Sequence, residues 1–138
     1  RTVSIPADGR LRFRRCEPSV TYTLWIPPTR EGRMVWRTGL RAPDEVTVRR
    51  TLGKSIDVRV VRSESDPVPL VSASSAFVHV EGRRLEDGTY RIVGLPDGEF
   101  EVSAFVSNGT LADGTRSTSG KASAGGSIML TIPPQAPR

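Results

Sequence analysis

The sequence carries one histidine and one cysteine, and both limit the chemistry open to it. His79 stands between Val78 and Val80. A paired-His zinc motif is therefore excluded, and a Ser-His-Asp relay would depend on this single residue. Alternation along that run makes His79 the outward side chain of a strand, solvated rather than poised as a base. Cys16, being alone, supports neither a disulfide framework nor a thiolate cluster. Its place in an alternating run predicts a small buried core residue. Carboxylates at Asp57, Asp66, Glu81, Glu86, Asp87, Asp97 and Asp113 offer loop oxygens for Ca²⁺, but none forms the dense Asp-x-Asp-x-Asp-Gly pattern of a calcium loop. Ala-Asp-Gly-Arg at 7–10 and Glu-Asp-Gly-Thr at 86–89 read as turns. The run 120–127 has glycines and a lysine without phosphate-loop spacing, and reads as a turn before a strand. No catalytic residue, cofactor or metal site is expected.

Three aromatic residues are the better candidates for ligand contact. Trp25, Trp36 and Tyr22 would make a carbohydrate-stacking platform if they faced outward together. Strand parity places Tyr22 and Leu24 on one face and Trp25 on the other, so packing between sheets is the competing role. Asn-Gly-Thr at 108–110 fits a glycosylation acceptor. A Lys–Asn isopeptide bond would have to join Asn108 to Lys54 or Lys121, and Asn108 lies in a polar run.

The elements that would position these residues are strands. Thirteen Gly and eleven Pro are too many for a helix bundle, while Val, Ile, Thr and Tyr recur in short alternating runs. The apolar share of 36% suits a modest core. No apolar run reaches the ~20 residues of a bilayer span. The start at Arg1, with no signal-peptide pattern, reads as a piece cut from something longer. Charge is uneven. Residues 1–52 hold eleven Arg against five acidic residues, a net of +6, and residues 53–138 hold nine basic against ten acidic, a net of −1. Because Arg10, Arg12 and Arg14 alternate with Leu11 and Phe13, this charge reads as the solvated face of a strand, and nucleic acid is not a favoured partner.

The stretch 87–102, DGTYRIVGLPDGEFEV, has a looser copy at 8–24, DGRLRFRRCEPSVTYTL. Asp8-Gly9 matches Asp87-Gly88, Leu11 and Phe13 match Tyr90 and Ile92, and Cys16 matches Leu95. Tyr22 and Leu24 match Phe100 and Val102 after a one-residue slip. In the second copy alternation sends Tyr90, Ile92, Phe100 and Val102 inward, and Leu-Pro-Asp-Gly reverses the chain. The run reads as a two-stranded hairpin that needs a further sheet to pack on. Strands are expected at 55–61, 76–80 and 127–132, with 107–120 a polar loop that could hide a short strand. The first copy offers strands at 2–5, 11–14, 21–26, 33–39 and 45–50. The chain thus divides into a partial β-sandwich module over 1–52, a complete one over 53–133 and a Pro-rich tail over 134–138. The fold expected is all-β, a Greek-key β-sandwich.

Residues 55–80, 86–105 and 119–132 resemble a carboxypeptidase regulatory-like domain. The resemblance rests on the opening Val-x-Val strand, the Asp-Gly-x-Tyr turn, the Gly-Leu-Pro-Asp-Gly bend and the late Gly-x-Ile-x-Leu strand. It covers residues 54–133 well and 2–52 loosely, and implies a transthyretin-like (prealbumin-like) sandwich. Such domains follow the catalytic domain of some metallocarboxypeptidases and recur in tandem in large bacterial surface and secreted proteins. The expectation is a non-catalytic module of a secreted or cell-envelope protein, a structural spacer or protein-interaction domain. Its partners would be neighbouring domains, a further protein or a glycan. The alternatives are a carbohydrate-binding or adhesion domain, and an accessory domain of a metallocarboxypeptidase.

Overall fold

A computed structural model describes residues 9–107 and 115–134, and the described chain is all-β, with no helix. In chain order the strands are β1 (Tyr22–Ile26), β2 (Arg33–Leu40), β3 (Thr51–Leu52), β4 (Lys54–Val61), β5 (Leu70–Ser75) and β6 (Val78–Glu81). They continue with β7 (Arg83–Arg84), β8 (Tyr90–Leu95), β9 (Glu99–Ser107), β10 (Thr115–Ser123) and β11 (Ser127–Thr131). Three sheets result, ordered β1-β2-β3, β10-β9-β5-β6 and β11-β4-β8-β7.

The two four-stranded sheets close on one core. Ile56, Val58, Tyr90, Ile92 and Leu130 come from one sheet, and Val71, Ala73, Val80, Phe100, Val102 and Ala104 from the other. Period-two alternation is what aims them together: along β9 Phe100, Val102, Ala104 and Val106 are buried and alternate with exposed or half-buried residues. Ile56 and Ile92 are wholly shielded from solvent, and side chains of this size stabilise by about 1.5–3 kcal/mol each when fully buried. The Tyr90 hydroxyl, carried into this apolar layer, donates to the Pro69 carbonyl at 2.9 Å, which satisfies it.

The Gly-Leu-Pro-Asp-Gly bend does not make the hairpin its sequence predicts. β8 pairs with β4 and β7, whereas β9 pairs with β10 and β5. The bend carries the chain from one sheet to the other. Inward parity is the same in both geometries, so alternation alone does not separate them. A hairpin would set Ile92 and Phe100 side by side; the crossover sets them in facing layers, where both are buried. The bend is fastened at its far end, where Gly98 accepts from the Ala124 amide at 2.9 Å.

The short β3 and β7 and the six-residue β5 fall outside the expected strands, and the short strand that the 107–120 loop could hide proves to be a long one. Residues 115–123, expected within a polar loop and the turn after it, form the nine-residue β10, paired with β9 along its whole length. Its inward positions Thr118, Gly120 and Ala122 are small rather than apolar. A Cβ at Gly120 would stand 2.9 Å from Ile128 Cδ1, so smallness is what lets the opposite sheet approach. β5, Leu-Val-Ser-Ala-Ser-Ser, is hidden because Val71 is its single large inward residue beside Ala73 and serines.

Other expectations fail in the opposite direction. Residues 11–14 and 45–50 form no strand. Phe13 is 38% exposed and Val46 41% exposed. Cys16, expected in the core, is half-buried outside any strand, its thiol lying 3.9 Å from the Phe13 carbonyl. An alternating run without a neighbour to complete its ladder gains nothing by being extended. The expected strand at 2–5 and most of the Pro-rich tail lie outside the described residues.

The small sheet is seated on the sandwich through glycines. Gly94 has φ +76°, and a Cβ there would come 2.2 Å from Pro28 Cβ. At Gly53 a Cβ would meet the Gly94 backbone at 2.6 Å. The Gly53 amide also donates to the Gly32 carbonyl at 3.0 Å. Within the small sheet, Arg50 donates through Nη1 to the Pro27 carbonyl at 2.8 Å and so braces the turn that carries Pro28. The glycine that opens the bend motif is thus a contact point between the two parts of the chain.

Candidate functional site

β1 and β2 are antiparallel with Trp25 directly opposite Trp36 and Tyr22 opposite Leu40. The two indoles meet edge to face, centroids 6.0 Å apart and planes at 69°. Trp36 also stacks on Phe77, at 5.6 Å and 17°. Trp25 leans inward against the sandwich core. Tyr22 stays apart: its hydroxyl accepts the Glu17 amide at 2.9 Å, and it joins no ring contact. Two of the three aromatic residues singled out in the sequence therefore come together and the third does not. Phe77, 57% exposed in the β5–β6 turn, is the member sequence reasoning missed. The sequence reading placed Phe77 within the strand expected at 76–80, whereas Ala76 and Phe77 form the turn and β6 begins at Val78. The rings spend their faces and edges largely on one another, which makes the cluster a fastening of β2 to the β5–β6 turn as much as a platform.

His79 is exposed on the outer face of its sheet, as alternation predicted. Its Nδ1 lies 2.9 Å from Ser74 Oγ across the β5–β6 ladder. Ser74 in turn stands opposite Glu101 on β9. These three residues form a row across the outer face of the sheet, and His79 at its end also lines the open cleft beside the β1–β2 turn.

The most sheltered charged pair is Asp66 with Arg116, their side chains 6% and 12% exposed. Arg116 donates through Nη2 to Asp66 Oδ1 and through Nη1 to the Pro133 carbonyl at 2.8 Å. Arg62 donates to the Asp66 carbonyl at 2.6 Å. The hydrogen bond from Arg116 is the main reason the Asp66 carboxyl sits below the usual carboxylate range. This network ties the β4–β5 loop to β10 and to the chain beyond β11. Asp87 is also lowered, chiefly by the Thr89 hydroxyl, which donates to Oδ1 at 2.6 Å. That bond closes the Asp-Gly turn, the role its sequence predicted. Burial pushes the Tyr90 phenol up.

Among the described residues no three His, Cys, Asp or Glu side chains converge as a metal set. Lys54 pairs with Asp97 at 2.7 Å and Lys121 with Glu99 at 3.7 Å. Asn108, the 108–110 acceptor triplet and Asp113 lie outside the described residues. Among the described residues no helix is long and apolar enough to cross a membrane. Two open clefts flank Arg91, whose Nε donates to Asp57 Oδ1 at 2.8 Å: one of about 300 Å³ below the β1–β2 turn, the other of about 450 Å³ over β4, β8 and β11. The pair raises the Arg91 guanidinium further above its already basic range. No family model, curated protein or solved structure matches this chain.

Proposed function

We propose that the chain is a non-catalytic β-sandwich module of a larger secreted or cell-envelope protein, acting as a structural spacer or protein-interaction domain. The observation that carries this reading is the seat of the small sheet on the sandwich. Backbone meets backbone at Gly53 and Gly94, and Pro28 fills the space where a Gly94 side chain would stand. Contacts of that closeness favour one rigid body, which is what a spacer requires. Polar side chains such as Ser74 with His79 and Asp66 with Arg116 knit neighbouring strands and loops to each other.

We read the sandwich as the transthyretin-like, carboxypeptidase regulatory-like type, with residues 1–52 a partial module and 53–133 a complete one. The supports are the Asp-Gly-x-Tyr turn, the Gly-Leu-Pro-Asp-Gly bend and the junction at Gly53 between β3 and β4.

The test is ¹⁵N relaxation. A spacer requires one rotational correlation time for β2 and β8 amides; two distinct times would end the rigid-spacer reading. A second reading, carbohydrate contact, is favoured by the aromatic cluster, where Trp36 is 37% and Phe77 57% exposed. Titration with a panel of soluble oligosaccharides, followed by tryptophan fluorescence, separates the two. A spacer gives no saturable change, and a glycan binder gives one that Phe77→Ala abolishes.

A further inference from the structure

The seat that fixes the small sheet also leaves an opening beside it. Between the β1–β2 turn and strands β6, β7 and β8 runs a cleft of about 300 Å³. Pro27, Pro28 and Arg30 line it from the small sheet, and Arg83, Arg91 and Val93 line it from the sandwich. That volume is at the low end for ligand pockets and suits a few residues of extended chain rather than a folded partner. The cleft also borders β6 and β7, each the outermost strand of its sheet, beside which an extended segment can lie.

The charge in this cleft is not balanced. Arg30 and Arg83 are exposed, and their guanidinium groups make no hydrogen bond or ion pair among the described residues. Arg91 gives its Nε–H to Asp57, outside the lining. Glu81 is the one carboxylate in the lining, against three guanidinium groups. The surface between these charges is apolar: Pro27, Pro28, Val80 and Val93.

We propose that this cleft binds an acidic peptide segment, with Asp or Glu carboxylates taken by Arg30 and Arg83 and a small apolar side chain seated against Pro28 and Val93. Guanidinium groups hold carboxylates through paired N–H bonds, and two that lack partners are free to do so. A phosphodiester strand fits less well. Its charges repeat along the backbone, and Glu81 would stand against them, whereas a peptide can place a neutral residue of its own there. The site goes beyond the spacer reading, which needs no ligand at all.

The test is an amide NMR titration of the whole chain with the capped peptide acetyl-Glu-Val-Glu-Leu-Glu-amide. Its all-Gln counterpart and a thymidine hexanucleotide serve as comparisons. Saturable shifts are expected at Thr29, Arg30, Arg83 and Val93, weakened by 0.5 M salt and absent with the Gln peptide. The double variant Arg30→Gln, Arg83→Gln should bind about tenfold more weakly, with core amides such as Ile56 and Val102 unmoved as the check on folding. The proposal is overturned by four outcomes: no saturable shift, shifts that map elsewhere, equal binding of the Gln peptide, or no loss in the double variant. Tighter binding of the hexanucleotide at these residues would also overturn it in favour of a polyanion site. None of these results alters the relaxation behaviour that tests the spacer reading.

Discussion

Two stretches of this chain alternate alike and end differently. Leu11 and Phe13 are interleaved with Arg10, Arg12 and Arg14, as Tyr90 and Ile92 are interleaved with Arg91 and Val93. Around residues 9–20 there is no strand, and Phe13 stays 38% exposed. Around residues 90–95 the strand pairs on both sides, with β4 and β7, and Ile92 is fully buried. What separates them is neighbours, not pattern. β8 finds a ladder on each edge and an apolar layer opposite, so extending it satisfies its backbone and buries its inward side chains together. The teaching is that alternation gives a segment a face, while a second sheet is needed to use it.

The comparison can be broken most directly in the core. Ile92→Ala should cost about 3 kcal/mol through lost burial and the cavity it leaves, while Phe13→Ala should stay within about 0.5 kcal/mol. Urea unfolding of both variants checks this, and equal losses would mean that residues 9–20 share the core after all.

The second largest effect lies at the seat. Gly94→Ala should cost about 3 kcal/mol, because Pro28 occupies the space its Cβ needs and the left-handed backbone adds strain. Gly88 is the sharpening control: its φ is +86° but nothing lies within 4 Å. Gly88→Ala should therefore show strain alone, about 1 kcal/mol. Thermal melts of the two variants separate close approach from backbone conformation, and equal shifts would remove the seat.

A smaller effect is expected at the aromatic fastening. Trp36→Ala loses a stacked and an edge contact, about 1–2 kcal/mol, and tryptic cleavage at Arg33 and Arg37 should quicken while cleavage at Arg91 stays slow. Loss of protection in both would mean the sandwich relies on the small sheet.

The smallest effect is acid sensitivity. Asp66 and Asp87 both titrate below their unfolded range. Their contribution is complete above the unfolded value near pH 4 and is lost as pH falls through the lowered folded values. Asp66→Asn should flatten the decline in melting temperature below pH 4 and leave the neutral plateau lower. An unchanged acid slope would place the sensitivity elsewhere.

Much of the second region was legible because its strands advertise an apolar face: Ile56 and Val58, Tyr90 and Ile92, Phe100 and Val102 all point where alternation sends them. β5 and the full length of β10 were hard to read because, Val71 apart, their inward residues such as Ala73, Gly120 and Ala122 are small; Gly120 serves by what it lacks. The pairing partner of β8 was equally hidden, since a hairpin and a crossover bury the same residues. At the candidate site, Trp25 and Trp36 were legible as aromatic residues on expected strands but their register was not, and Phe77 and the Arg30–Arg83 cleft depend on how one sheet sits on another. That seating is written in Gly94 and Pro28, which are read locally as punctuation for turns.

The central claim is that the small sheet is held on the sandwich by this seat. Native-state hydrogen exchange tests it most directly. Protection at Met34 and Val35 is expected to approach that of Ile92, with residues 11–16 unprotected, and Gly94→Ala should lower protection in β2 far more than in β9. If β2 exchanges as freely as residues 11–16 in the unaltered chain, the seat does not hold the sheet and the rigid-spacer account is contradicted.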